Sequence, residues 1–239
     1  AINSQRLLRN LTHIFGLNQF ERILLRNKVD LVYFISPSSW SNYLERLNFI
    51  ITVWDLCHRD HLEFPEIRVN RTFEERELSY RSSLIKATAV IADSALGKEN
   101  IIRRYGVDEE RVHVIAFSPA LGIKEHVSTK NKSSINIKKK YKIDGEYIFY
   151  PAQFWAHKNH IYILQGLQIL NSKYGIRLNA VFSGNDGGNL EYVKKRAQEL
   201  DLLDQVFFVG FLNEEELPHC YQGSIALVMP TYFGPTNIP

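Results

Sequence analysis

No apolar run in this 239-residue chain approaches the ~20 residues that a membrane-crossing helix needs, so no membrane span is expected. Cysteine is scarce. Cys57 and Cys220 are the only two; they cannot build a disulfide framework and read as reduced core thiols of a cytoplasmic protein. A large charge of one sign is also missing. Lys plus Arg number 29 against 26 Asp plus Glu, a net charge of +3, so nucleic acid is not an expected partner. Neither the G-x-G-x-x-G nor the P-loop spacing occurs; Ser183-Gly184-Asn185-Asp186-Gly187-Gly188 is glycine-rich but fits neither. His157 and His160 have no nearby acids or thiols in sequence to complete a metal site, so no metal is expected. Cys57 beside His58 suggests a thiol nucleophile, but neighbours at a strand end point apart and no orienting group follows. The chain opens Ala1-Ile2-Asn3-Ser4, without Met or a signal peptide, and reads as a fragment.

What is present is an ordinary globular composition, 45% hydrophobic, 12% aromatic and 23% charged. Short apolar strands alternate with helical patterns. Strands are expected over 29–35, 49–54, 88–92 and 112–115, with helices over 19–28, 72–86 and 95–104. Phe20, Ile23 and Leu24 recur at the spacing of one inward helix face on the first helix, and Phe73, Leu78, Leu84 and Ile85 are expected inward on the second. Gly106 is a natural C-cap. Beyond residue 146 the alternation resumes: strands over 147–150, 178–182, 206–209 and 225–229, and helices over 159–174, 190–200 and 214–221. Between the halves, residues 121–146 hold seven lysines against three acidic side chains, which suggests a linker. The boundaries are therefore one lobe over 1–125, a lysine-rich linker over 126–146 and a second lobe over 147–239. Alternation of this kind argues for an α/β protein: two Rossmann-like, doubly wound lobes with parallel sheets and a cleft between them. Ligands of such sheets bind beyond the carboxyl ends of the strands.

Among those strand ends, Tyr150-Pro151-Ala152-Gln153-Phe154-Trp155-Ala156-His157-Lys158-Asn159-His160 is the most informative. It sets a lysine at a helix start on the ligand side, where unpaired N–H groups and the helix dipole already attract anions. A compact ammonium there suits a phosphate.

These residues carry a resemblance. The Lys158-Asn159 helix start, the stretch from Phe207 to Leu212 with Glu214 to Leu217 and Tyr221, and the stretch from Val228 to Pro239 resemble, in that order, the donor half of a GT-B glycosyltransferase. The family is the large "glycosyltransferase group 1", nucleotide-sugar-dependent enzymes of mannosyl-, glucosyl- and rhamnosyltransferase type. The resemblance implies that Lys158 contacts the donor diphosphate. It also implies that Gln153, Asn159, Phe211, Leu212, Thr236, Asn237 and Ile238 bind the donor, with backbone near Phe211-Leu212 reading the base. Thr52-Val53-Trp54-Asp55-Leu56-Cys57-His58 is similar to the family's His-Asp-Leu strand end, with Trp54 in the histidine's place. It makes Asp55 and His58 the catalytic candidates. Ser94, in Asp93-Ser94 before a helix, is either part of a family segment or simply an N-cap.

The resemblance implies transfer of a sugar, with retention and without a metal or other cofactor, from a nucleoside-diphosphate sugar to a glycan or lipid-linked acceptor in cell-surface polysaccharide synthesis. Residues 1–125 would then be the acceptor side and 147–239 the donor side, both incomplete. The protein would be cytoplasmic, and the lysines of 130–142 would allow peripheral contact with anionic lipid at the inner face of the plasma membrane. One departure favours other classes. The family's first donor-loop glutamate corresponds to Gly234, and its second falls past Pro239. A nucleotide-sugar-binding module without transferase activity, or a sugar-nucleotide epimerase of the same fold, are the alternatives.

Overall fold

The computed structural model describes residues 18–118 and 135–234. The chain divides into two compact units. The first comprises residues 1–62 and 67–117, and the second residues 63–66 and 118–239.

In the first unit, α1 (Gln19–Arg26) starts at Asn18, whose side chain accepts the Glu21 N–H at 2.9 Å. It is followed by β1 (Leu31–Phe34) and β2 (Asn48–Val53). Glu21 is fully buried, and its Oε1 accepts the backbone N–H groups of Glu45, Arg46 and Leu47 at 2.9, 2.7 and 2.9 Å. A buried carboxylate so paired is tolerated, and it fixes the entry into β2. A short α2 (Cys57–Asp60) leads to α3 (Pro65–Arg68), whose first two residues group with the second unit, and on to α4 (Thr72–Ser83), then β3 (Ala89–Ala92), α5 (Ala95–Tyr105) and β4 (Val112–Val114). Ser94 does cap α5, accepting the Gly97 N–H at 3.0 Å, and Gly106 closes it at φ 65°. The four strands lie parallel in the order β1-β2-β3-β4. Phe49, Ile51, Val53, Val90, Ala92 and Val112 pack with Leu24, Tyr80, Leu84 and Ile101 in one core.

Three expected inward positions point outward: Ile23, Leu78 and Ile85 are 50%, 49% and 59% exposed. On α4 the buried face belongs instead to Glu77, Tyr80 and Ser83. Polar partners for Glu77, described below, override the apolar pattern there.

The second unit contains α6 (Ile137–Tyr141), β5 (Tyr147–Pro151), α7 (His160–Ile169), β6 (Asn179–Ser183), α8 (Leu190–Glu199), β7 (Val206–Gly210), α9 (Glu216–Gly223) and β8 (Ala226–Leu227). Its sheet is parallel, in the order β7-β6-β5-β8. The inner strands β5 and β6 are buried on both faces. Tyr150, Ala180 and Phe182 pack with α7 and α8 residues, whereas Tyr147, Phe149 and Val181 pack with Ile137, Ile143 and Cys220. This two-sided cover is what an all-parallel sheet requires.

The expected linker over 126–146 needs correction in its described part. Residues 137–141 form a helix, and Ile137 and Ile143 are buried in the core of this unit. Lysines on the outer face conceal that apolar pair in the composition. Lys138 and Lys140 are themselves paired, with Glu146 at 2.8 Å and with Glu216. The helix expected over 159–174 is α-helical to Ile169 and widens into a π turn over Leu170–Tyr174.

Candidate functional site

Both units place chemistry just beyond a parallel strand. In the second unit, β5 ends at Pro151, and Phe154 fastens the chain that follows. Its N–H donates to Asn185 O at 3.0 Å, and Asn189 N–H donates to its carbonyl at 3.1 Å. Its ring stacks on the fully buried His160 at 4.5 Å and 20°. Burial pushes the His160 imidazole down to about 3, so this histidine is neutral. A tight turn over Ala156–Lys158 follows, and Tyr150 Oη donates to the Lys158 carbonyl at 2.9 Å. Asn159 enters α7 in the left-handed region at φ 55°, which asparagine tolerates better than most residues. Its Nδ2 donates to Pro230 O at 3.1 Å, joining the start of α7 to the loop after β8.

The turn faces the loop after β6. Gly184 sits at φ 149°, and a Cβ there would stand 2.4 Å from Ala152 O. Only glycine permits this approach of two backbones. A Cβ at Gly187 would strike the Trp155 indole at 2.5 Å, so the ring lies against that glycine. Trp155 Nε1 donates to Gln153 Oε1 at 2.8 Å, which leaves the Gln153 amide nitrogen as a donor.

Together these segments wall a cavity of about 430 Å³, within the usual range for small-molecule sites. Gln153, Trp155 and Lys158 line one side, Ser183, Gly184 and Asn185 another, and Phe211, Leu212, Asn213, Glu214 and Leu217 a third. Four residues anticipated as donor-binding, Gln153, Lys158, Phe211 and Leu212, therefore share one cavity. Phe211 is 76% exposed and Leu212 is buried. Asn159 does not line the cavity; its side chain serves the Pro230 carbonyl. Thr236, Asn237 and Ile238 lie outside the described residues. Ser183 and Asn185 belong to the glycine-rich loop that matched no phosphate motif, and the strand-to-helix position was their only signal.

At the end of β2 the first unit is built differently. Asp55 Oδ1 meets Arg76 Nη2 at 2.7 Å and accepts from the Cys57 N–H at 3.0 Å and thiol at 2.7 Å. Burial alone would raise the Asp55 carboxyl, but the Arg76 charge and these hydrogen bonds outweigh it and hold it below its usual value. Burial, then the Asp55 charge, pushes the Cys57 thiol up to about 12, so it stays protonated. Both cysteines are free and buried, as expected. His58 is fully buried. Its Nε2 lies 3.1 Å from Glu77 Oε1 and 3.2 Å from Tyr105 Oη, and Tyr105 donates to Glu77 at 2.7 Å. Burial and then the Arg76 charge lower the imidazole to about 4 despite Glu77. Trp54, at the position of the family's histidine, is 45% exposed. The residues anticipated as catalytic thus sit in a hydrogen-bonded ion-pair network that engages Asp55 Oδ1 and His58 Nε2, while the buried His58 Nδ1 has no hydrogen-bond partner among the described residues; the partners Arg76, Glu77 and Tyr105 are 19 to 47 residues away in sequence.

Among the described residues no three His, Cys, Asp or Glu side chains are grouped to hold a metal ion. No helix among them is long and apolar enough to cross a membrane.

Comparison with known proteins gives this geometry a family context. Residues 131–237, which contain the cavity, match the family Glycosyl transferases group 1. Solved chains with the same two-sheet α/β fold include WaaG, a glycosyltransferase involved in lipopolysaccharide biosynthesis. It is 14% identical with a TM-score of 0.68, over 89% of this chain and 56% of that one. Anabaena HepE, solved with UDP and glucose, is 13% identical with a TM-score of 0.63, over 88% and 55% of the two chains. The fold is therefore GT-B, and the family match supports a GT-B glycosyltransferase. Mannosylfructose-phosphate synthase of Agrobacterium fabrum is 20% identical over 176 residues, 71% of this chain and 37% of that protein. The chain thus spans little more than half, or less, of the length of these relatives.

Proposed function

We propose that this chain is part of a retaining, metal-independent glycosyltransferase that takes a sugar from a nucleoside-diphosphate donor to a glycan or lipid-linked acceptor, in the cytoplasm, for cell-surface polysaccharide. The observation that carries this reading is the cavity holding Gln153, Lys158, Phe211 and Leu212 inside the matched region. Without a cation, the growing charge of a leaving diphosphate must meet fixed donors. Lys158 and the Gln153 amide, both lining the cavity, would supply them in this reading, and the Phe211-Leu212 wall suits a base. HepE, solved with UDP-glucose, is consistent with such a donor. Asp55 and His58 stay in this reading as the catalytic candidates on the first unit, with Asp55 Oδ1 and His58 Nε2 held in place by Arg76, Cys57, Glu77 and Tyr105. The acceptor is a glycan or a lipid-linked sugar; pairing of Lys138 and Lys140 weakens the lysine stretch as a lipid-binding patch.

A second reading is favoured by Gly234, which stands where the resemblance places a glutamate. In that reading the cavity binds a nucleotide sugar without transferring it. One experiment separates the readings: incubation with UDP-, GDP- and ADP-linked sugars, followed by binding and by release of nucleoside diphosphate. Release supports transfer, binding without release supports the module, and an altered but still nucleotide-linked sugar supports an epimerase. In Lys158→Ala the affinity for the best nucleotide should fall about 10- to 100-fold, as expected for a charge-assisted contact. Unchanged affinity would remove Lys158 from the site.

A further inference from the structure

Glu66 belongs to the segment 63–66 that groups with the second unit, although it precedes His157 by 91 residues. Its Oε1 accepts the His157 backbone N–H at 3.1 Å and lies 2.5 Å from His157 Nδ1. The two side chains are only 10% and 11% exposed. Oε1 thus receives both the peptide N–H and the ring nitrogen of His157, and this pairing fixes the ring orientation. Phe233 stacks on that ring at 4.1 Å and 16°, and Phe64 packs on Tyr232 and Phe233 at 5.5 and 5.8 Å. On its other side, the His157 carbonyl accepts the Tyr232 N–H at 2.9 Å and the Thr231 hydroxyl at 3.3 Å. His157 therefore joins segment 63–66 to the loop after β8, and the next residue in the chain is Lys158. Neither Glu66 nor His157 lines the cavity.

From these contacts we propose that Glu66 is a positioning residue for the donor cavity, acting through His157 on the turn that presents Lys158 and on the loop that opens at Thr231. This role rests on the nucleotide-sugar reading of the cavity. Loss of the carboxylate frees the His157 peptide to rotate, and that rotation moves the Lys158 ammonium relative to a bound diphosphate. Misplacement of a binding group by about 1 Å is enough for a large loss, on the order of 100-fold in reactive systems.

The test is equilibrium binding of UDP, GDP and ADP to the full chain, with the thermal melt of each ligand-free variant alongside. Glu66→Ala should lower the melt, as breaking a buried pair does, and, at a temperature where the variant is fully folded, should weaken the best-bound nucleotide about tenfold. Glu66→Gln keeps an acceptor for the His157 peptide N–H and should recover most of the affinity. In the double variant with Lys158→Ala, most of the Glu66→Ala effect should vanish, because the larger part of it acts through Lys158 and only the remainder through the loop at Thr231. If Glu66→Ala fails to fold, Glu66→Asp, one methylene short of the His157 N–H, takes its place. Wild-type affinity in Glu66→Ala or Glu66→Asp, with binding lost in Lys158→Ala, overturns this role alone, as do losses that multiply in the double variant. No binding of any nucleotide by wild type overturns the nucleotide reading, and this role with it.

Discussion

β2 and β5 are both inner parallel strands, and each is followed within a few residues by a histidine. After β2 the charges close on one another: Arg76 on Asp55, and His58 with Tyr105 on Glu77. After β5 the polar groups are arranged around empty volume. Gln153 and Lys158 share a cavity of about 430 Å³ with Phe211, and the turn carrying them is fastened from behind by Tyr150, Phe154 and Asn159. The position of a residue at a strand end therefore does not by itself distinguish scaffold from ligand contact. What distinguishes them is whether the side chain is packed into a buried network or lines a space large enough for a ligand.

The largest expected effect tests the closed half of this contrast. Arg76→Ala strips Asp55 of its cation and leaves the carboxylate with Cys57 alone. Breaking a fully buried pair costs about 3–5 kcal/mol. Here the two side chains are 25% and 28% exposed, and solvent screening reduces the loss to about 2–3 kcal/mol. Urea unfolding should register this loss while nucleotide affinity stays at the wild-type value. The opposite outcome, intact stability with weakened binding, would mean that the β2 end belongs to the ligand site.

Next in size is a pH effect in which the two buried histidines should differ. Their folded values, about 4 for His58 and about 3 for His160, lie below the usual 6.5. The unfolded chain therefore binds the extra proton first. The stability from each neutral histidine is complete above pH 6.5 and is lost as pH falls from 6.5 toward the folded value. Between pH 7 and 5 the loss is up to about 2 kcal/mol per histidine. His58 has Glu77 beside it to receive a charged imidazole, whereas His160 is caged by Phe154, Tyr150 and Phe182. His160→Phe should flatten the pH dependence of urea unfolding more than His58→Gln does. Equal slopes in all three proteins would show that neither histidine is held neutral.

Much of the architecture was legible because its signals are local. Apolar tetrads and pentads such as Ala89–Ala92 mark the strands, and Ser94 and Gly106 mark the two ends of α5. Lys158 was legible for the same reason, as a cation next to a helix start. The rest depends on contacts distant in sequence. Nothing near Asp55 announces Arg76, 21 residues on, and nothing near His157 announces Glu66, 91 residues back. The α6 helix was hidden for a different reason: its single buried Ile137 is outnumbered by three lysines facing outward. Charge composition reports the outer face of such a helix and not the inner one.

The smallest expected effect probes the open half of the comparison at Phe211. Its side chain is 76% exposed, yet it lines the cavity, while the adjacent Leu212 is buried in the core behind it. An aromatic left in water at a cavity wall adds little to folding, because it has little apolar surface removed from solvent. A flat partner such as a nucleobase would cover it, and stacking of this kind is worth on the order of 1 kcal/mol at its lower limit. Phe211→Ala should therefore weaken nucleotide binding about fivefold and change the unfolding free energy by less than about 0.5 kcal/mol. Phe211→Trp should keep the affinity, since the ring face remains. Binding unchanged in Phe211→Ala would place the base elsewhere in the cavity. A loss of stability with affinity intact would assign Phe211 to the fold, and the distinction between packed network and cavity wall would then fail at the point where exposure makes it clearest.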